Sequence, residues 1–190
     1  TGTQLEMQIH EGLSDYIPNP SLTKLMYQAL TEVGAPQFDE EDRKLASAIR
    51  ETFSPDQLKS YAEKYAGVTE MQQLIQQNAV LCDVVLPFIP ESSPMGGSTD
   101  VGDASYCAPT AQINMCTEAM GTPGHTWQVT AQSCSSIAHK GTIKAAQVMA
   151  LSGLYALEDP ELLKKAKEEL LQQNGGGYRC PMPPEIMPTL

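Results

Sequence analysis

The chain has 190 residues, 41% of them hydrophobic, which suits one domain or slightly more with a buried core and does not fit a disordered chain. Its 23 acids against 12 bases leave a net charge of -11, which argues against nucleic acid or anionic membrane as partners, because phosphate binding needs a surplus of Lys and Arg. No apolar run approaches the roughly 20 residues that span a bilayer, and Thr1-Gly2-Thr3-Gln4 does not read as a signal peptide.

The missing initiator methionine leads to the expectation that the residues begin inside a longer protein. Cys82, Cys107, Cys116, Cys134 and Cys180 are odd in number and share no CxxC or zinc-knuckle spacing. They read as free thiols in a reducing compartment, hence a cytoplasmic protein.

Residues 4 to 10 alternate polar and apolar with period two, the pattern of a half-buried strand with His10 on its polar face. Tyr16-Ile17-Pro18-Asn19-Pro20 breaks that strand, and Asn19 is placed to cap a helix opening at Pro20. Leu22, Leu25, Met26, Ala29 and Val33 line one face of this helix, and Gly34 ends it. A second helix is expected from Asp39 to Phe53, with Asp39-Glu40-Glu41-Asp42 at the positive end of its dipole. Ser54-Pro55 opens a third and Thr69 a fourth, so residues 36 to 78 read as a helical insertion.

Cys82 to Ile89 is an apolar run bounded by prolines, a buried strand or an extended connection. Pro90 to Gly97 reads as loop, and Ala108 to Cys116 as the next strand. Residues 137 to 157 carry apolar side chains at helical spacing, with Ala and Gly between them. Asp159-Pro160-Glu161 caps a last amphipathic helix that turns Leu162, Leu163, Ala166 and Leu170 inward. Asn174-Gly175-Gly176-Gly177 stops it, and the proline-rich tail from Tyr178 to Leu190 is expected to be extended. Strands alternating with helices make the expected class α/β, helices on a sheet.

Two stretches have the composition of a site. Gly121-Thr122-Pro123-Gly124-His125-Thr126-Trp127 sets a histidine on a proline and glycine turn beside the only tryptophan. That presentation suits a metal ligand or a general base, and equally a structural turn histidine. Gly96-Gly97-Ser98-Thr99-Asp100-Val101-Gly102-Asp103 holds two carboxylates spaced three apart, and the apolar segment between the stretches is expected to be a strand joining them. Asp100 and Asp103 read either as groups that orient a ligand or as turn caps. His139 reads as a capping or supporting histidine, and Trp127 as a core or pocket wall. There is no GxSxG, HExxH or GxxxxGK[ST], and no catalytic residue is assigned.

The order of four motifs, Gly97 to Ser105, Pro109-Thr110-Ala111, Gly121 to Gln128, and Ser136-Ile137-Ala138-His139-Lys140-Gly141, resembles the carboxy-terminal part of M20-type metallopeptidases and amidohydrolases. Within them it is most similar to the aminobenzoyl-glutamate hydrolase branch. The resemblance implies the second half of a zinc-peptidase-like catalytic domain, a sheet flanked by helices, over residues 17 to 190. It implies that residues 1 to 16 are the last strand of a lid or dimerisation domain.

The same resemblance implies His125 as a metal ligand, with Asp100 and Asp103 in the segment at the edge of its site, and the readings of the single residues add His139 and Trp127 as second-layer or pocket positions. It also implies two divalent metals, Zn or Mn, per complete enzyme, a small-molecule amide substrate such as an N-acyl or aminobenzoyl amino acid, and a homo-oligomer. Where relatives carry a Glu-Asp-Phe-like motif, this chain has Thr99-Asp100-Val101. The family's other ligands and its general base are not in these residues, so the chain is expected to be inactive without a missing amino-terminal half. The alternative is a non-catalytic binding or assembly protein that uses the acidic helices of 39 to 78 as its partner surface.

Overall fold

The computed structural model describes residues 2–89, 99–183 and 186. The described residues form eight helices and no strand. They are α1 (Pro20–Val33), α2 (Glu40–Arg50), α3 (Pro55–Lys64), α4 (Thr69–Gln76), α5 (Val101–Cys107), α6 (Trp127–Gln132), α7 (Ser136–Glu158) and α8 (Pro160–Gln173). This overturns the expected α/β class, both as half of a zinc-peptidase-like domain with a sheet flanked by helices and as a strand of a lid domain. Among the described residues no helix is long and apolar enough to cross a membrane.

Each expected strand fails for the same physical reason: a strand exists only through the hydrogen bonds of a neighbour. Residues 4 to 10 have no ladder among the described residues, and Leu5, Met7 and Ile9 are 93%, 81% and 52% exposed. Near Cys82 the chain passes the segment around Cys116, but among the described residues the backbone tie there is the bond from the Met120 amide to the Val80 carbonyl at 2.9 Å. In the 108 to 116 run, the Thr110 carbonyl accepts from the Asn19 amide at 3.0 Å and from the Tyr16 hydroxyl at 3.2 Å, neither of them a strand neighbour. The expected loop from Pro90 to Gly97 lies outside the described residues, as do 184, 185 and 187 to 190 of the tail.

The helix starts follow their local chemistry. Asn19 accepts the Leu22 amide at 3.0 Å, and Asp159 accepts the Leu162 amide at 3.0 Å ahead of Pro160. Asp39 with Asp42, and Ser54 with Gln57, form complete capping boxes on α2 and α3. α2 stops at Arg50, and Phe53 beyond it is buried.

The chain divides into two compact units. The first gathers the described residues within Thr1–Lys24, Pro90–Gln112 and Asp159–Leu190. Here the extended segment from Ser14 to Asn19 is tied down residue by residue. The Ser14 amide donates to the Asp103 carboxylate at 3.1 Å, and the Ile17 amide to the Ser105 hydroxyl at 2.9 Å. The buried Asn19 side chain donates to the Ala166 carbonyl at 2.8 Å, and Ser21 bonds the Glu169 carboxylate through both amide and hydroxyl. Gly102 is what lets the segment lie so close: a Cβ there would stand 2.0 Å from the Ser14 carbonyl oxygen.

The second unit comprises Leu25–Ile89 and Ile113–Glu158. Its core joins Ala46, Ile49 and Phe53 to Leu81, Ala119 and Ile137, with Phe38, Leu58, Val80 and Cys116 packed around them. Burying each large member contributes on the order of 1.5–3 kcal/mol. α7 reaches this core because Gly141 has no side chain: a Cβ there would meet the Cys116 carbonyl oxygen at 2.2 Å. At the start of α7, Lys140 pairs with Asp39 at 2.7 Å and with the buried Asp42. Arg43 pairs with Asp83 at 2.6 Å, and Arg50 donates to the Ala79 carbonyl at 2.6 Å.

Candidate functional site

The turn that carries His125 is built from behind by a glutamine. Gln132, on α6 and 1% exposed, accepts the Ala119 amide at 2.7 Å through its carbonyl oxygen. Its Nε2 donates to the Thr122 hydroxyl at 3.1 Å and to the Gln128 carbonyl at 3.0 Å. Thr122 and Thr126 close the loop on itself through their hydroxyls, onto the Ala119 and Pro123 carbonyls at 2.7 and 2.8 Å. Sequence reasoning passed over Gln132. The available signal was two amides, Gln128 and Gln132, four apart on a short helix directly behind a proline and glycine turn.

On this clamped turn two residues have positive φ, Gly121 at 93° and the histidine itself. His125 has φ 58°, a conformation that costs an ordinary side chain roughly 1–2 kcal/mol. Its side chain is exposed, and its imidazole makes no hydrogen bond to another described residue.

Trp127 opens α6 and is 60% exposed, so it is not a core residue. His139 lies in the first turn of α7, exposed, with its amide bonded to the Ser135 carbonyl at 3.1 Å. The cap of that helix comes instead from the Ser135 hydroxyl, which accepts the Ala138 amide at 3.3 Å. No hydrogen bond joins His125, Trp127 and His139 among the described residues.

Asp100 and Asp103 belong to the first unit and the three others to the second. Asp100 stands exposed at the start of α5 without a capping bond, while Asp103 accepts the Ser14 amide. The part of the glycine-rich stretch from Gly96 to Ser98 lies outside the described residues. The stretch from Thr99 onward enters a helix, α5, and the segment after it is not a strand, so the expected joining strand is not there.

Three members of the acidic run at the head of α2 have partners within the chain, although only Asp42 is buried. Asp39 and Asp42 cap the helix and hold Lys140, and Glu41 pairs with Lys44 at 2.8 Å. Burial pushes the Asp42 carboxyl up, but the Lys140 ammonium and the Asp39 amide outweigh it and hold it below the usual range.

Among the described residues no group of three or more His, Cys, Asp or Glu converges as a metal site. A catalytic zinc takes three protein ligands and a structural one four, so these residues do not by themselves fit two metal ions.

Along its whole length the chain is 33% identical, over 194 aligned residues, to the B subunit of p-aminobenzoyl-glutamate hydrolase from Escherichia coli (strain K12). The chain is a relative of that protein. The resemblance carried by the four motifs to the aminobenzoyl-glutamate hydrolase branch is thus borne out, and the chain spans 40% of the length of this relative. No family model matches the chain, and no solved structure does.

Proposed function

We propose that these residues are the carboxy-terminal part of an amide hydrolase. Its substrate is an N-acyl or aminobenzoyl amino acid such as p-aminobenzoyl-glutamate, and His125 contributes one ligand to a divalent metal site, Zn or Mn. The observation that carries this reading is the end-to-end likeness to a subunit of p-aminobenzoyl-glutamate hydrolase. The turn of His125 supports it, because a histidine held at φ 58° with its side chain exposed, on a turn that Gln132 ties down through Thr122, is a costly arrangement for a residue that serves only to turn the chain.

The role of these residues in such an enzyme is to hold and aim that imidazole. Bound metals would supply a water acidic enough to ionise near neutral pH. The other donors such a site would need, and a carboxylate to take the proton, would come from residues beyond these. These 190 residues are therefore inactive alone.

The test compares the 190-residue chain with the full-length protein encoded by the same gene, each as wild type and as His125→Ala. Release of p-aminobenzoate from p-aminobenzoyl-glutamate and metal content are the readouts. Metal and hydrolysis confined to the full-length protein, both lost in His125→Ala, are the expected result. A full-length protein that hydrolyses no such amide, or one that does so unchanged with alanine at this position, overturns the reading.

A further inference from the structure

α8 ends at Asn174, and Gly175-Gly176-Gly177 follow it. The Asn174 side chain is engaged at both ends: Nδ2 donates to the Tyr106 carbonyl in the last turn of α5 at 2.9 Å, and Oδ1 accepts the Gly176 amide at 3.0 Å. Asn174 thus ties the end of α8 to the end of α5, both in the first unit. The donor in that tie is a group that chemistry can remove.

An asparagine loses its side-chain amide without any enzyme when the backbone nitrogen of the next residue attacks Cγ. A bond forms from that nitrogen to Cγ, the bond from Cγ to Nδ2 breaks, and the backbone amide proton leaves with Nδ2 as ammonia. Water then opens the succinimide ring at either carbonyl, which leaves aspartate or isoaspartate. The step needs a following N–H that is unbonded and not shielded by a side chain.

The chain has four asparagines, and one of them meets both conditions. Asn19 precedes Pro20, which has no N–H. Asn78 precedes Ala79, whose amide is bonded to the Leu74 carbonyl at 2.9 Å, and Asn114 precedes Met115, whose side chain crowds the attacking nitrogen. Gly175 has no side chain, and its amide makes no hydrogen bond to another described residue.

In the closed arrangement the reaction is held off. With Asn174 at ψ 6°, the Gly175 nitrogen lies nearly eclipsed with the Asn174 backbone nitrogen and is turned away from Cγ. Ring closure therefore waits for the last turn of α8 to open. Helix ends open at little cost, and a Cβ at Gly175, Gly176 or Gly177 would meet nothing within 4 Å, so little packing holds this stretch shut.

We propose that Asn174 is a site of spontaneous deamidation, and that its conversion to aspartate or isoaspartate unties the end of α8 from α5. The product has no donor for the Tyr106 carbonyl, because a carboxylate only accepts. It also sets a negative charge at the C-terminal end of α8, where the helix dipole is already negative. Both effects act in one direction, and the loss of ammonia makes them irreversible.

The experiment incubates the protein in mildly alkaline buffer, folded and in urea, and follows each asparagine by peptide mass spectrometry. Asn174 is expected to convert first, to aspartate and isoaspartate, and in the folded protein at a rate within about tenfold of that in urea, as the low cost of opening a helix end allows. Folding that slows Asn174 more than about tenfold, or conversion led by Asn78 or Asn114, overturns the site. Hydrogen exchange followed by NMR then reads the tie, with Asn174→Asp standing for the product. The Ala108 amide, which closes the end of α5 on the Ala104 carbonyl, should exchange at least about threefold faster in the variant, the change expected when one hydrogen bond is lost. A smaller acceleration overturns the untying.

Discussion

The Asp103 carboxylate accepts the backbone amide of Ser14 at 3.1 Å, across 89 residues of chain. One turn of α5 thereby serves as the rail on which the extended segment before α1 is fixed. Ser105 continues the rail toward Ile17, and Gly102 supplies the clearance. Alanine in place of Gly102 ordinarily gains about 1 kcal/mol in a helix. Here its Cβ would be forced to within 2.0 Å of the Ser14 carbonyl oxygen. The expected net effect of Gly102→Ala is a loss of about 1–3 kcal/mol, read from urea unfolding. A neutral or stabilising result would falsify the close packing of Ser14 on α5.

The pairing of Lys140 with Asp39 and Asp42 makes stability depend on pH in a defined direction. The hydrogen bond and charge of Lys140 lower the Asp39 carboxyl, and those of Lys140 and Asp39 lower the Asp42 carboxyl against its burial. A carboxyl lowered in the folded state contributes stability that is present above its unfolded pKa, about 3.9, and is lost as pH falls through the folded value. Lys140 is raised by the same partners, so its contribution is lost only as pH climbs through a value above 10.5. In Lys140→Met the folded carboxyls rise, and acid unfolding begins at a higher pH than in the wild type. Acid titrations followed by circular dichroism that superimpose for the two proteins would remove the pair from any role in stability.

His125→Gly separates stability from function. Glycine adopts φ 58° without the steric cost that histidine meets, so thermal and urea unfolding should show a gain of up to about 1 kcal/mol. The same protein, in full-length form, should lose metal and amide hydrolysis. A substitution that stabilises and inactivates together marks a residue held in a strained conformation for its chemistry. If the variant is destabilised, the histidine is there to make the turn.

The thiols should divide three to two in their reactivity. Cys107, Cys134 and Cys180 are exposed, whereas Cys82 and Cys116 are partly buried. Burial raises the Cys82 thiol and pushes the Cys116 thiol up to about 11. At pH 8 about one Cys116 in a thousand is thiolate, the form that reacts. Alkylation with iodoacetamide, mapped by mass spectrometry, should therefore mark the three exposed cysteines first and reach Cys82 and Cys116 only when the second unit opens. Labelling of Cys116 at the rate of Cys134 in folded protein would contradict this burial.

The helices that a reader of the sequence can place are those whose ends are settled within a few residues. Asn19, Asp39, Ser54 and Asp159 each accept an amide three positions on, and the helices they cap begin where those residues stand. α5 and α6 escape such reading. Their residues, among them Gly102, Ser105 and Thr130, are poor helix formers, and the bonds that fix the two helices go to partners far along the chain or out of the helix altogether. The His125 turn was legible as a turn. Its left-handed histidine and the glutamine behind it were not.

The sequence by itself determined the caps, the breaks, the long apolar helix α7 and the order of motifs that ties the chain to the aminobenzoyl-glutamate hydrolase branch. Each of these is decided by neighbours in the chain or by residue identity. Only the tertiary structure decided that the period-two run at residues 4 to 10 has no strand beside it among the described residues, that Asp103 serves Ser14, and that Lys140 reaches Asp42 across 98 residues. An amide at a helix start finds its acceptor three residues away, whereas a strand or a buried ion pair exists only once a distant segment has been brought to it. Alternation of side chains states which face of a segment is apolar, and it is silent on whether any neighbour is there to cover it.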